Sequence, residues 1–215
     1  MKNPSWTVAI RGLKTFCGGV ILNENTILTA AHCVDRENII NLKVFAGESN
    51  LKKFKKFIKV FQIFIHPNYD KDNLYHDLAI IKLVQKLEFN QFVRPIMLST
   101  RSPKYGENAF FCGWGSDIKG MLSQHMKVVD VKITSSQQCI LKYGEDYNQN
   151  LQICAGNLNH DFCLGDSGGP LVQYVDGHWY VIGIISYTGE ICSDGKPSVY
   201  SDVFRYYSWI SNLMI

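Results

Sequence analysis

Three short segments carry the residue types and spacing that could do chemistry. In Gly165-Asp166-Ser167-Gly168-Gly169-Pro170 three glycines surround one serine. Glycine there permits a tight turn with backbone N–H groups exposed beside the hydroxyl, the arrangement a nucleophile and an oxyanion need. Thr29-Ala30-Ala31-His32-Cys33 sets a histidine behind a β-branched run, and His76-Asp77-Leu78-Ala79-Ile80-Ile81 sets an acid at the head of an apolar strand. Taken singly, Ser167 reads as a surface turn, His32 as a satisfied core histidine and Asp77 as a strand-end cap. Together, in the order His, Asp, Ser, they read as a nucleophile, its base and the group that orients the base. The serine segment also fits the G-x-S-x-G elbow of α/β-hydrolases, whose order is Ser, acid, His. Only His178 follows Ser167, with too little chain left for that fold.

The elements that must hold these residues are strands. Runs rich in Val, Ile, Phe and Thr recur at Trp6 to Ile10, Gly19 to Leu22, Ile27 to Thr29, Leu42 to Phe45, Leu78 to Leu83, Lys127 to Ile133 and Tyr180 to Ser186, separated by turn residues. A helical pattern of ten or more residues appears only at the C-terminus, where Val203, Tyr206, Tyr207, Ile210 and Leu213 recur at helical spacing. Such a chain is all-β, a sandwich or barrels. Asn90 to Asn108, with Pro95, Pro103 and Gly106, is the best candidate for a linker between two halves.

Composition narrows the function classes. Of the 215 residues 46% are apolar and 19% charged, which excludes disorder and collagen-like sequence. The longest apolar runs, Phe16 to Leu22 and Trp179 to Ile185, are about seven residues, far short of a membrane helix. The net charge of +3 is local: Lys52, Lys53, Lys55, Lys56 and Lys59 fall in a window without acids, and elsewhere acids outnumber bases. That speaks against nucleic-acid binding. Met1 to Ile10 lacks the apolar core of a secretory signal, so either a leader has been removed or the start lies upstream. The seven cysteines, Cys17, Cys33, Cys112, Cys139, Cys154, Cys163 and Cys192, include no C-x-x-C pair; they suit disulfides in an oxidising compartment, with the pairing left open by spacing.

The chain resembles the chymotrypsin/trypsin family of serine endopeptidases. The resemblance rests on Cys17-Gly18-Gly19, Leu28 to Cys33, His66-Pro67-x-Tyr69, Asp77 to Ile80, Gly113-Trp114-Gly115, Cys154-Ala155-Gly156, Gly165 to Pro170 and Pro197-Ser198-Val199-Tyr200. It implies two six-stranded antiparallel barrels and a C-terminal helix in one peptidase domain: a first barrel over 1–92, a linker over 93–107, a second barrel over 108–202 and the helix over 203–215. It implies that Ser167 attacks a peptide carbonyl, His32 moves the proton, Asp77 holds the imidazole, and the N–H groups of Gly165 and Ser167 stabilise the oxyanion. Ser186, Tyr187 and Thr188 would line the substrate strand. The implied disulfides are Cys17–Cys33, Cys139–Cys154 and Cys163–Cys192, with Cys112 a buried free thiol. No metal or cofactor is implied. The partners are a protein or peptide substrate and a protein inhibitor, and the chain would be a secreted monomer.

Three departures from the family pattern bear on activity. Relatives are activated when a new Ile-Val-Gly-Gly terminus inserts beside the acid before the nucleophile, here Asp166, and this sequence begins about a dozen residues too late for that. Asp161 matches the acid that pairs with substrate Lys or Arg, yet its neighbour Phe162 and the wall residues Thr188 and Ser198 crowd the pocket. Basic residues, small residues or none are therefore all open as the preference. The lysine window replaces an acidic calcium loop; it reads either as an edge strand protected by charge or as an exosite for acidic protein segments or sulfated glycans. An exosite would bind with steep salt dependence. The rival to a protease is a non-catalytic homologue that binds through this patch.

Overall fold

β-Branched and aromatic residues build the chain into two closed sheets. The computed structural model describes residues 4–115, 121–156, 166–189 and 196–215. The first sheet contains β1 (Thr7–Arg11), β2 (Phe16–Asn23), β3 (Thr26–Thr29), β4 (Lys43–Ala46), β5 (Ile58–Ile65) and β6 (Ala79–Leu83), closed in the order β1-β2-β3-β6-β5-β4. All its pairings are antiparallel, with Val20 opposite Leu28 and Leu28 opposite Ile80. Closure removes the free edges that a sheet otherwise exposes.

After β7 (Met97–Leu98), the second sheet contains β8 (Asn108–Gly113), β9 (Lys127–Thr134), β10 (Gln152–Gly156), β11 (Pro170–Val175), β12 (His178–Tyr187) and β13 (Ser198–Asp202). It runs β11-β8-β9-β10-β13-β12, and β12 returns to pair with β11 and close the ring. The two-residue β7 adds in parallel beside β12. The chain ends in a 3-10 turn, Val203–Tyr206, and α2 (Tyr207–Leu213). The expected two six-stranded barrels and terminal helix are therefore what the chain forms.

Two elements differ from the sequence reading. A second helix, α1 (Ser136–Tyr143), follows β9, capped by the Ser135 hydroxyl on the N–H of Gln138. Eight residues are too few for a periodicity argument and too few to be stable alone. The Cys139–Cys154 disulfide ties this helix to β10. The lysine window is not an edge strand: Lys52 and Lys53 lie in a 3-10 turn, Lys55 and Lys56 in the loop after it, and only Lys59 lies on β5, opposite Lys43. β5 pairs on both sides, so there is no edge for the lysines to protect.

One apolar core joins the barrels. It contains Val20, Ile27, Leu28, Leu78 and Ile80 of the first, and Val172, Val181, Ile184, Tyr206 and Ile210 from the second half of the chain. The segment between them is stitched to both sides: Arg94 donates its N–H to Ser5, Ile96 to Ile21 and Ser99 to Val181.

Candidate active site

Asp77 is the most enclosed charged group at the junction of the barrels. It has no exposed surface. Its carboxylate accepts three hydrogen bonds: Oδ1 from the backbone N–H of His32 at 2.9 Å, and Oδ2 from His32 Nδ1 at 2.7 Å and from the Ser186 hydroxyl at 2.6 Å. The Ser201 hydroxyl donates to the Asp77 carbonyl at 3.1 Å. A buried carboxylate is tolerable only when so satisfied. The arrangement also fixes the proton of His32 on Nδ1, leaving Nε2 as the basic nitrogen.

His32 lies in the 3-10 turn Ala31–Cys33 directly after β3, and Asp77 lies two residues ahead of β6. Because β3 and β6 are neighbours, with Thr29 opposite Ala79, the two residues emerge at the same end of the barrel. Burial works against the imidazolium, but the charge and hydrogen bond of Asp77, with Asp35 further off, outweigh it and raise the His32 pKa above its ordinary value.

Ser186 reaches Asp77 through a β-bulge. Ile185 pairs with Tyr200 and Tyr187 with Val199, so Ser186 is the unpaired extra residue and its side chain is re-aimed at the acid. The sequence reading gives the backbone of Ser186 to the substrate strand; its side-chain hydroxyl, in addition, braces the acid. Neither its role nor that of Ser201 could be read without the strand register.

The Ser167 turn sits against the first barrel. Its carbonyl accepts the N–H of Gly18 at 2.7 Å, while Gly168 N–H donates to Ile185 and Gly169 N–H to Asp166. Gly168 has φ +75°, and a Cβ there would collide with Thr29 Oγ1 and Gly18 O. Only glycine lets the turn approach this closely. Ser167 is half-buried, and its turn rests on Thr29 and Ala30, just ahead of His32 in the chain. Asp166 points the other way, buried, and accepts the N–H of Gly115 at 2.7 Å.

The other predicted residues are placed as follows. Gly165, Asp161, Phe162, Cys163 and Cys192 lie outside the described residues. Cys17–Cys33 and Cys139–Cys154 are bonded as the resemblance implies, and Cys112 is a buried free thiol whose pKa burial pushes far up. The sulfurs of Cys17 and Cys33 lie near His32, but they are bonded to each other and offer no thiolate to a metal. Tyr187 and Thr188 border a cavity of about 340 Å³ with Asp72, Leu74, Tyr143 and Lys196. Ser198 is buried, and the five lysines are all exposed.

This geometry is accompanied by sequence relatives. The trypsin family model matches residues 2–210. The chain belongs to the trypsin family. It is 32% identical over 214 residues to trypsin iota of Drosophila melanogaster, covering 98% of this chain and 83% of that protein. It is 36% identical over 204 residues to trypsin-1 of Astacus astacus, covering 91% and 86%. Among solved structures, mouse neuropsin, described as a serine protease expressed in the limbic system of the brain, superposes with a TM-score of 0.87 at 31% identity. That match covers 98% of this chain and 95% of neuropsin. As a trypsin-family serine protease the chain is a hydrolase acting on protein or peptide substrates.

Proposed function

We propose that this chain is a secreted serine endopeptidase in which Ser167 is the nucleophile, His32 the general base and acid, and Asp77 the group that holds the imidazole. The observation that carries this reading is the braced pair: His32 Nδ1 lies 2.7 Å from an Asp77 carboxylate that Ser186 also holds. His32 Nε2 takes the serine proton as Oγ attacks, and returns it to the leaving amine. The acyl-enzyme is then hydrolysed by water activated at the same nitrogen. The backbone N–H groups of Gly165 and Ser167 serve the oxyanion, and Asp166 is the acid that receives an activating amino terminus. Asp161 favours Lys or Arg before the scissile bond, while Phe162, Thr188 and Ser198 restrict how large a side chain enters.

Labelling with a fluorophosphonate, read by intact mass and peptide mapping, tests the reading. One adduct on Ser167, lost in Ser167→Ala, is the expected result. A folded protein that stays unlabelled both as this chain and when extended to begin Ile-Val-Gly-Gly would remove the endopeptidase reading, whereas labelling of the extended form alone would show that the inserted terminus is required. A second reading, binding of an acidic protein segment or sulfated glycan by Lys52, Lys53, Lys55, Lys56 and Lys59, is favoured by the exposure of all five along one short stretch, from a 3-10 turn to the start of β5.

A further inference from the structure

Two histidines outside the catalytic pair are stacked directly behind Asp77. His66 follows β5 and His76 immediately precedes Asp77; their rings are 4.9 Å apart and 5° from parallel. Tyr206 and Trp209, from the C-terminal segment, meet the His66 ring edge-on at 5.2 and 4.9 Å. The Tyr206 hydroxyl lies 3.3 Å from His76 Nδ1. His76 has φ 51°, in the left-handed region that few non-glycine residues adopt. Its carbonyl accepts the N–H of Leu78 at 2.8 Å, closing a turn around Asp77, and Leu78 O in turn accepts the N–H of His66. The backbone that presents Asp77 is therefore clamped on both sides by the stacked residues.

We propose that the His66–His76 stack is a positioning device for Asp77, and that charging it in acid releases Asp77 from His32. This rests on the endopeptidase reading of the same site. Two protonated imidazoles at this separation repel one another. The Nδ1 of His66 accepts the N–H of Asn68 at 3.2 Å, so a proton there would oppose an existing donor. Among the described residues, Tyr206 faces the pair, Tyr69 is tied to His66 through its backbone N–H, and Asp77 adjoins His76, its carboxylate engaged by His32 and Ser186. Burial raises the pKa of both tyrosines, keeping their hydroxyls neutral. Burial, then the charge of His76, lowers His66 to about 4, and burial lowers His76 as well. The stack is thus uncharged at neutral pH and takes up protons only well below the ordinary histidine range.

His66→Phe keeps a stacked ring that cannot charge, and His66→Ala removes the ring. For the wild type, kcat/KM should fall about tenfold per pH unit while His32 alone titrates, then more steeply, toward about a hundredfold per unit, as the stack charges. His66→Phe should keep the one-proton slope throughout. His66→Ala should lower kcat with KM unchanged, because Asp77 touches no substrate. NMR titration of the histidine ring protons reads the same device without turnover. The wild-type His32 signal should show a second inflection in acid, absent in His66→Phe. Superposable His32 titrations and superposable pH profiles in the two proteins would overturn the proposal. If no variant labels at Ser167 even when extended to begin Ile-Val-Gly-Gly, the endopeptidase reading fails, and the NMR comparison still decides whether the stack controls His32.

Discussion

Ser186 shows how one hydroxyl can serve a charge it does not share a strand with. It donates to the oxygen of Asp77 that also holds His32, in a place with no water to replace it, since Ser186 and Asp77 are both buried. A hydrogen bond to a charged group is worth about 1.5–3 kcal/mol. Ser186→Ala should therefore lower kcat by about tenfold or more with KM little changed, measured on any peptide the enzyme turns over. An equal rise in KM would mean that Ser186 serves substrate instead. The raised pKa of His32 carries its own sign. Its contribution to stability is complete below the ordinary histidine value and is lost as pH rises through the folded value. Ser167, His32 and Asp77 stand out as candidates in the sequence because each lies in a short segment whose neighbours suit the chemistry, and the His32–Asp77 contact joins two of the three. Ser186 and Ser201 do not, because their aim depends on which residue a neighbouring strand pairs with, and in Ser186's case on a one-residue bulge.

At the scale of elements, the strands that could be read were those with continuous runs of Val, Ile and Thr, such as β2, β6, β9 and β12. β5 was missed because Lys59, Gln62 and exposed Phe61 break any alternation, and its partners β4 and β6 supply the order instead. α1 was missed because a disulfide, not a helical face, holds it in place. The Cys17–Cys33 disulfide has a sharper task. It joins β2, which receives the Ser167 turn through Gly18, to the 3-10 turn that carries His32. Its 16-residue separation corresponds to about 3 kcal/mol of loop entropy in the unfolded chain. Replacing both cysteines by alanine should lower stability by about that amount in urea titration. It should also lower kcat, since β2, on which the serine turn rests through the Gly18 hydrogen bond, then loses its disulfide to the turn that carries His32. Loss of stability with kcat intact would show that the hydrogen bonds alone hold the register.

The groups proposed for catalysis come from both barrels, His32 and Asp77 from the first and Ser167 and Ser186 from the second. The pattern of strands alone gives two sheets but not their docking. That depends on apolar residues facing outward from each sheet. Val172, Val181 and Ile184 of the second barrel lie in the same core as Val20, Ile27 and Leu28 of the first. Polar ties reinforce the contact: Tyr75 OH donates to Glu145 O at 2.6 Å, and the Trp114 indole N–H donates to Ser49 O at 2.8 Å. With a shared core, neither barrel can open without exposing apolar surface of the other, so the chain should unfold in one transition. Ile184 has no exposed surface and sits two residues before Ser186 on β12. Ile184→Ala should cost about 2–5 kcal/mol, with the unfolding midpoint shifted but the transition still single. Tryptophan fluorescence and far-UV circular dichroism, followed together through a urea titration, check this. Two separated transitions, with the second unaffected by the substitution, would show instead that the barrels fold independently and that the site is assembled by docking of finished halves.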